Sequence, residues 1–302
     1  RPRLANRVDS LFRTHCFDQF LATYLFTAYF VADISRFRDL VSAVVRDMES
    51  QNIVYAEITV SVVEYLDQGI PLEDLMAALE AAAEESQMRV QWIVDLVRNI
   101  GAEAALSLLG DILRIRPSSV VGITLGGSEQ LFPPAEFVEV YRTARDHGLR
   151  RSVHAGEGLG PDSVWDALRL LQAERIGHGV RAIEDKRLVD YLGAHRIPLE
   201  VCPTSNLQTG IYPSYDAHPV KALYEAGVPV TINTDDPAFF STTLAEEFEH
   251  VARRGCGDQD LLEMLKNGFR YAFLLPQEIA RYLEEIDREW AEHQAGASTG
   301  GD

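Results

Sequence analysis

The segment RSVHAGEG, from Arg151 to Gly158, constrains the chain more than any other, and it has two later counterparts, IGHGV around His178 and TINTDDP ending at Pro237. Each opens as a short apolar run, closes on ionisable residues and is followed by a stretch with helical spacing. Apolar runs without alternation suit strands buried on both faces, and helices between them supply the cover, so the pattern points to a parallel sheet. The carboxyl ends of such strands share one face, and ionisable residues closing several strands gather there as a rim.

Reading outward from these segments, seven strands are expected, at 53–60, 88–97, 120–125, 151–154, 175–176, 198–201 and 228–233. Between and around them, helical spacing is expected at 33–47, 72–86, 102–113, 135–147, from 161, at 184–195, 218–226 and 243–254, and in a closing helix at 279–290. A closed barrel takes eight strands, and nothing before Phe12 reads as one. Two architectures fit: a TIM (β/α)8 barrel of the metal-dependent hydrolase type whose first strand lies outside these residues, or an open doubly wound sheet. The barrel is the expectation, as a single domain over residues 1–302 with a disordered tail from about Ala295. A chain of 302 residues, 46% apolar, is long enough for it.

With 28 basic against 46 acidic residues, a net charge of -18 and no basic stripe, the chain is a poor partner for nucleic acid. No apolar run reaches the roughly 18 residues of a spanning helix. Three widely spaced cysteines without a CxxC favour a reducing compartment, so a cytoplasmic protein with no membrane partner is expected. Nothing in the sequence sets the oligomeric state.

The expected rim carries Glu57, Arg98, Asn99, Gly126, Gly127, His154, Glu157, His178, Cys202, Ser205, Asn206, Asp235 and Asp236. Imidazole nitrogen and carboxylate oxygen together suit a borderline-soft divalent ion such as Zn²⁺. His154 reads either as a metal ligand or as a structural residue capping its turn. His178, between two glycines, reads as a ligand or as a group that orients water. Glu157 sits in the turn after β-strand residue His154 and is a candidate general acid or base if burial lifts its pKa. Asp235 and Asp236 end the apolar run VPVTIN, and two charges there need partners, of which a metal is the most effective. Cys202, followed by Pro203, reads as a buried strand-end residue rather than a nucleophile. His218 is the one remaining histidine near this face. The chemistry suggested is attack of a metal-activated water on an electrophilic carbon. No phosphate-binding loop or nucleophile elbow is present. Seven Phe or Tyr between Phe12 and Phe30 fit a helix that buries one side and lines a cavity with the other.

VHAGE (Val153 to Glu157), IGHG (Ile176 to Gly179), EVCPTSN (Glu200 to Asn206) and NTDDP (Asn233 to Pro237), in this order, resemble the adenosine deaminase family of metal-dependent hydrolases. The resemblance implies Zn²⁺ held by His154 and Asp235, with Glu157 protonating N1 of a purine while water activated by the ion attacks C6. It implies that His178 supports that water, that Asp236 contacts N7, and that the Gly127 N–H faces N3. Phe17 and Phe20 would belong to a hydrophobic wall over the ribose or a larger 5′ group. The expected reaction is deamination of adenosine or a closely related purine nucleoside, with aminodeoxyfutalosine or adenine as alternatives.

Two departures stand out. The family opens with an HxH pair of metal ligands that these residues lack, and Thr59 stands in AEITV where the family often has Arg. The resemblance therefore implies an HxH strand before Arg1, and little zinc binding or turnover by these residues alone. The rival reading is a non-catalytic purine-binding barrel that has lost its metal.

Overall fold

The computed structural model describes Phe12 and residues 14–299, with side chains through Ala295. Seven strands, β1 (Tyr55–Ser61), β2 (Arg89–Asp95), β3 (Val120–Thr124), β4 (Arg150–Ala155), β5 (Arg175–His178), β6 (Leu199–Val201) and β7 (Val230–Ile232), form one sheet in sequential order. Every neighbouring pair is parallel, and helices pack outside. This is the wall of a TIM-type α/β barrel. An eighth strand is absent among the described residues, and the expectation that none precedes Phe12 lies outside them.

The covering helices start where local chemistry supplies orphan amides with acceptors. Asp33 accepts from Arg36 N at the start of Ile34–Ser50, and Thr243 with Glu246 forms a capping box for Leu244–Arg253. Helical spacing then sets what is buried: Phe37, Val41 and Val45 on the first, and Leu75, Met76 and Leu79 on Leu72–Glu85. Trp92 of β2 ties the latter to the sheet by donating its indole N–H to Leu79 O at 2.9 Å.

The structure extends the expected pattern at the carboxyl end. Helix Asp258–Arg270 was not foreseen: it buries Lys266 and Asn267 beside Leu262 and Met264, and these inward polar residues blur its apolar stripe. Asn267 is buried because its Nδ2 donates to Val230 O of β7 at 3.1 Å. The last helix runs Pro276–Thr299, so the tail expected from about Ala295 is helical as far as Thr299.

A second difference concerns Glu57. It was expected at the rim, but it is the third residue of β1 and lies in a polar layer inside the barrel, below the strand ends. There Arg175, the first residue of β5, forms close ion pairs without hydrogen-bond alignment to Glu57 at 2.5 Å and Glu200 at 2.9 Å. Its guanidinium lies 3.6 Å from the centroid of the Phe273 ring. Burial alone would lower the Arg175 pKa, but Glu200 and Glu57 outweigh it and raise it. Ser152 donates to Glu200 at 2.6 Å and Tyr55 donates to Gln91 at 2.9 Å, completing the layer. Arg175→Met would leave buried Glu57 and half-buried Glu200 without a cation, and a loss of about 3 kcal/mol of stability is expected from the urea unfolding midpoint.

Candidate active site

Strand alternation places every second side chain inside the barrel. Above the polar layer, the inward positions are therefore His154 over Ser152, Gly177 over Arg175, and Cys202 over Glu200. His154 lies on β4 with its backbone opposite Gly177 of β5. A Cβ at residue 177 would stand 3.2 Å from the His154 ring, so the glycine makes the room that the imidazole fills. Thr124, at the end of β3, lies 3.2 Å from His154 Nδ1, and this contact leaves Nε2 as the nitrogen free for an ion.

The strand that ends at His178 turns sharply. His178 and Gly179 both have positive φ, 57° and 64°. The turn brings the His178 ring to 5.2 Å from that of His154, between centroids. His178 Nε2 lies 3.7 Å from Glu157 Oε2 and 3.8 Å from Asp235 Oδ2. Burial opposes charge on His178, but Glu157 and Asp235 outweigh it and raise its pKa. On the far side of the ring, Asn206 Nδ2 sits 3.1 Å from Nδ1.

Glu157 is carried by the tight turn after β4. Gly156 has φ of 72°, and buried Glu129 accepts from Gly156 N at 2.7 Å and Leu159 N at 2.8 Å, which clamps the turn. Buried Arg98 reaches the same turn from below, donating to His154 O at 2.6 Å and Leu125 O at 2.8 Å. Burial raises the Glu157 pKa; His178 pulls against that, and Asp235 adds to it. The carboxyl is thereby biased toward its protonated, donating form.

Asp235 also has positive φ, 57°, and accepts from Ser205 Oγ at 2.7 Å. Asp236 follows at the start of the short helix Pro237–Phe240, and its pKa is pushed well up, first by burial and then by the adjacent Asp235. That helix carries Phe239 and Phe240 against Phe20 of helix Phe17–Ala28, with Phe20 stacked on Phe240 at 5.0 Å. Phe17, Phe20, Gly127, His154, Glu157, His178, Asp235 and Asp236 all line one cavity of about 1320 Å³. It continues down between β1 and β7, past Tyr55, Glu57 and Thr231.

These eight residues thus share one cavity, whereas Ser205 and Asn206 of the motifs lie buried behind it, and imidazole with carboxylate is a donor set that suits a divalent ion. Among the described residues, His178, Cys202 and Asp235 offer ligand atoms within 4.8 Å of one another, and His154 is not part of that group. Cys202 is a poor member of any such set, because burial first, and then Asp235, push its thiol well up and keep it protonated. Sequence reasoning passed over Thr124, Glu129, the positioning contacts of Arg98 and the depth of His218. The signal for Glu129 was present in GGSE, but its partners lie across a loop whose course only the fold determines.

The comparisons with known proteins agree with this geometry. The family model described as Adenosine deaminase matches residues 3–289. The chain is 38% identical over 278 residues to the aminodeoxyfutalosine deaminase of Streptomyces coelicolor, covering 90% of this chain and 72% of that protein. It is 34% identical over 254 residues to the adenosine deaminase of Shewanella loihica, covering 82% and 76%. The adenine deaminase structure from Arthrobacter aurescens superimposes with a TM-score of 0.87 at 27% identity, over 94% of this chain and 88% of that one. With its barrel, its converging rim residues and these matches, the chain belongs to the adenosine deaminase family.

Proposed function

We propose that the protein is a zinc-dependent hydrolase that replaces the 6-amino group of adenosine, or of a closely related purine nucleoside, by oxygen and releases ammonia. The observation that carries this reading is the meeting of a raised-pKa carboxyl, Glu157, with His178 and Asp235 in one buried mouth. His154 and Asp235 would hold the ion. When bound, zinc lowers the pKa of a coordinated water and so supplies a nucleophile near neutral pH.

The remaining work falls to the chain's own side chains. Glu157, protonated, donates to N1 of the purine, which makes C6 more electrophilic. His178 directs its Nε2 at the side of the cavity where the attacking oxygen enters and holds that oxygen by a hydrogen bond. Asp236, whose pKa burial pushes up, can donate to N7 in its protonated form, and the Gly127 backbone faces N3. These fixed partners meet charge as it develops, without reorganising. The helix Phe17–Ala28 covers the sugar side and excludes water, with Phe17 and Phe20 as its inner face.

A nucleoside bearing a larger 5′ group is the second reading. The 38% identity over 278 residues to an aminodeoxyfutalosine deaminase supports it. A turnover panel of adenosine, adenine and 5′-substituted adenosines, followed by the absorbance change near 265 nm and combined with metal analysis, all on the natural full-length protein, tests the proposal. Loss of the 6-amino absorbance with a nucleoside is expected; metal-free protein inert toward all three classes would favour the non-catalytic barrel instead. The free cysteines Cys16, Cys202 and Cys256 suit the reducing cytoplasm as its location. Among the described residues no helix is long and apolar enough to cross a membrane.

A further inference from the structure

Behind His178 runs a file of buried hydrogen bonds whose direction is set at its far end. Val220 N, a backbone donor that cannot exchange roles, lies 3.2 Å from His218 Nδ1. Nδ1 must therefore accept, which puts the His218 proton on Nε2. Nε2 lies 3.1 Å from Asn206 Oδ1, and it donates there. With its oxygen so engaged, the Asn206 amide turns its Nδ2 to His178 Nδ1, at 3.1 Å. His178 Nδ1 accepts in turn, so the proton that Glu157 and Asp235 draw to this ring sits on Nε2, which faces them.

Every member of the file is shielded from water that could scramble its direction: His178 is 2% exposed, Asn206 0% and His218 5%. Asn206 is held on both sides by the backbone. Its N–H donates to Cys202 O at 3.0 Å, and its carbonyl accepts from Ile211 N and Tyr212 N at 2.9 and 3.0 Å. The ring of Tyr212 lies 5.1 Å from that of His218, closing the file from the side. Inverting the amide would set its NH₂ against the His218 Nε2–H, and rescuing that by moving the His218 proton would set Nδ1–H against Val220 N–H. One misdirected donor thus costs an unpaired buried polar group somewhere along the chain.

We propose that Asn206 and His218 are positioning residues that lock His178 in the tautomer with its proton on Nε2, so that it meets the reaction centre as a hydrogen-bond donor. The proposal rests on the deaminase reading for its effect on turnover, but not for its effect on the ring. Asn206→Asp tests it nearly isosterically: a carboxylate accepts from both neighbours, so it retains the bond from His218 and calls a proton onto His178 Nδ1.

The experiment is long-range ¹H–¹⁵N NMR on the ¹⁵N-histidine-labelled protein, with His178→Gln used to assign the signals, together with kcat and KM for the purine nucleoside that is turned over. In the wild type, His178 Nδ1 is expected to carry the unprotonated nitrogen signature and Nε2 the protonated one. In Asn206→Asp, Nδ1 becomes protonated, kcat falls about 10–100-fold, as is usual when a partner behind a site residue is lost, and KM moves little. His218→Gln keeps a donor for Asn206 Oδ1 and should retain most of the rate, whereas His218→Leu should not. Circular dichroism separates these effects from unfolding. A wild-type spectrum with the proton on Nδ1, or an unchanged Nδ1 signal in folded Asn206→Asp, overturns the proposal. If no nucleoside is deaminated, the function proposed above fails, while the nitrogen spectra still decide the relay.

Discussion

Replacing Glu157 by glutamine is expected to lower kcat by about 10²–10⁴-fold while leaving KM nearly unchanged, in the range that loss of a general acid costs. Glutamine keeps the shape of the side chain and can still donate an N–H, so a purine should bind almost as before. It cannot deliver a proton to N1, and that delivery matters as C6 becomes tetrahedral. The carboxyl is prepared for it: burial is the largest influence on Glu157 and raises its pKa, and Asp235 adds to that. Stability should barely change, since Glu157 meets His178 only at 3.7 Å. Steady-state assays on a folded variant check both halves, and a variant with wild-type kcat would remove Glu157 from the chemistry.

His154→Ala should have an effect of at least the same order, through the ion rather than the proton. Thr124 and the carbonyl contact from Arg98 hold His154 in place, an arrangement that supports a ligand rather than a surface residue. Loss of a metal's contribution of several kcat-relevant kcal/mol corresponds to a rate loss on the order of 10³-fold. Metal content measured by mass spectrometry should fall together with turnover, and chelation of the wild-type protein should reproduce the loss. Full activity in a variant with no bound metal would refute the role assigned to His154.

The barrel was legible from the sequence because short, largely apolar runs alternate with helical stretches and several of those runs close on ionisable residues. The bounds of β3, β4 and β6 lie within a residue of expectation. β5 was read two residues short, because Gly177 and His178 break its apolar run although both pair with β4. Helix Asp258–Arg270 escaped notice since its buried Asn267 is rewarded by a partner on β7, more than thirty residues earlier in the chain. Thr59, in place of the family's frequent Arg, lies on β1 and lines the cavity.

The sequence by itself determined that strands alternate with helices and that His154, Glu157, His178, Asp235 and Asp236 share one rim. Alternation along a strand decides which face a side chain takes, and that much is local physics. Only the tertiary structure decided how deep each residue lies, because depth depends on the stagger between neighbouring strands. That stagger put Glu57 into the polar layer beneath the site rather than at its mouth. It also took the packing of separate loops to join Val220, His218 and Asn206 into one directed file behind His178, since a hydrogen bond's partner is chosen by position in space and not by distance along the chain.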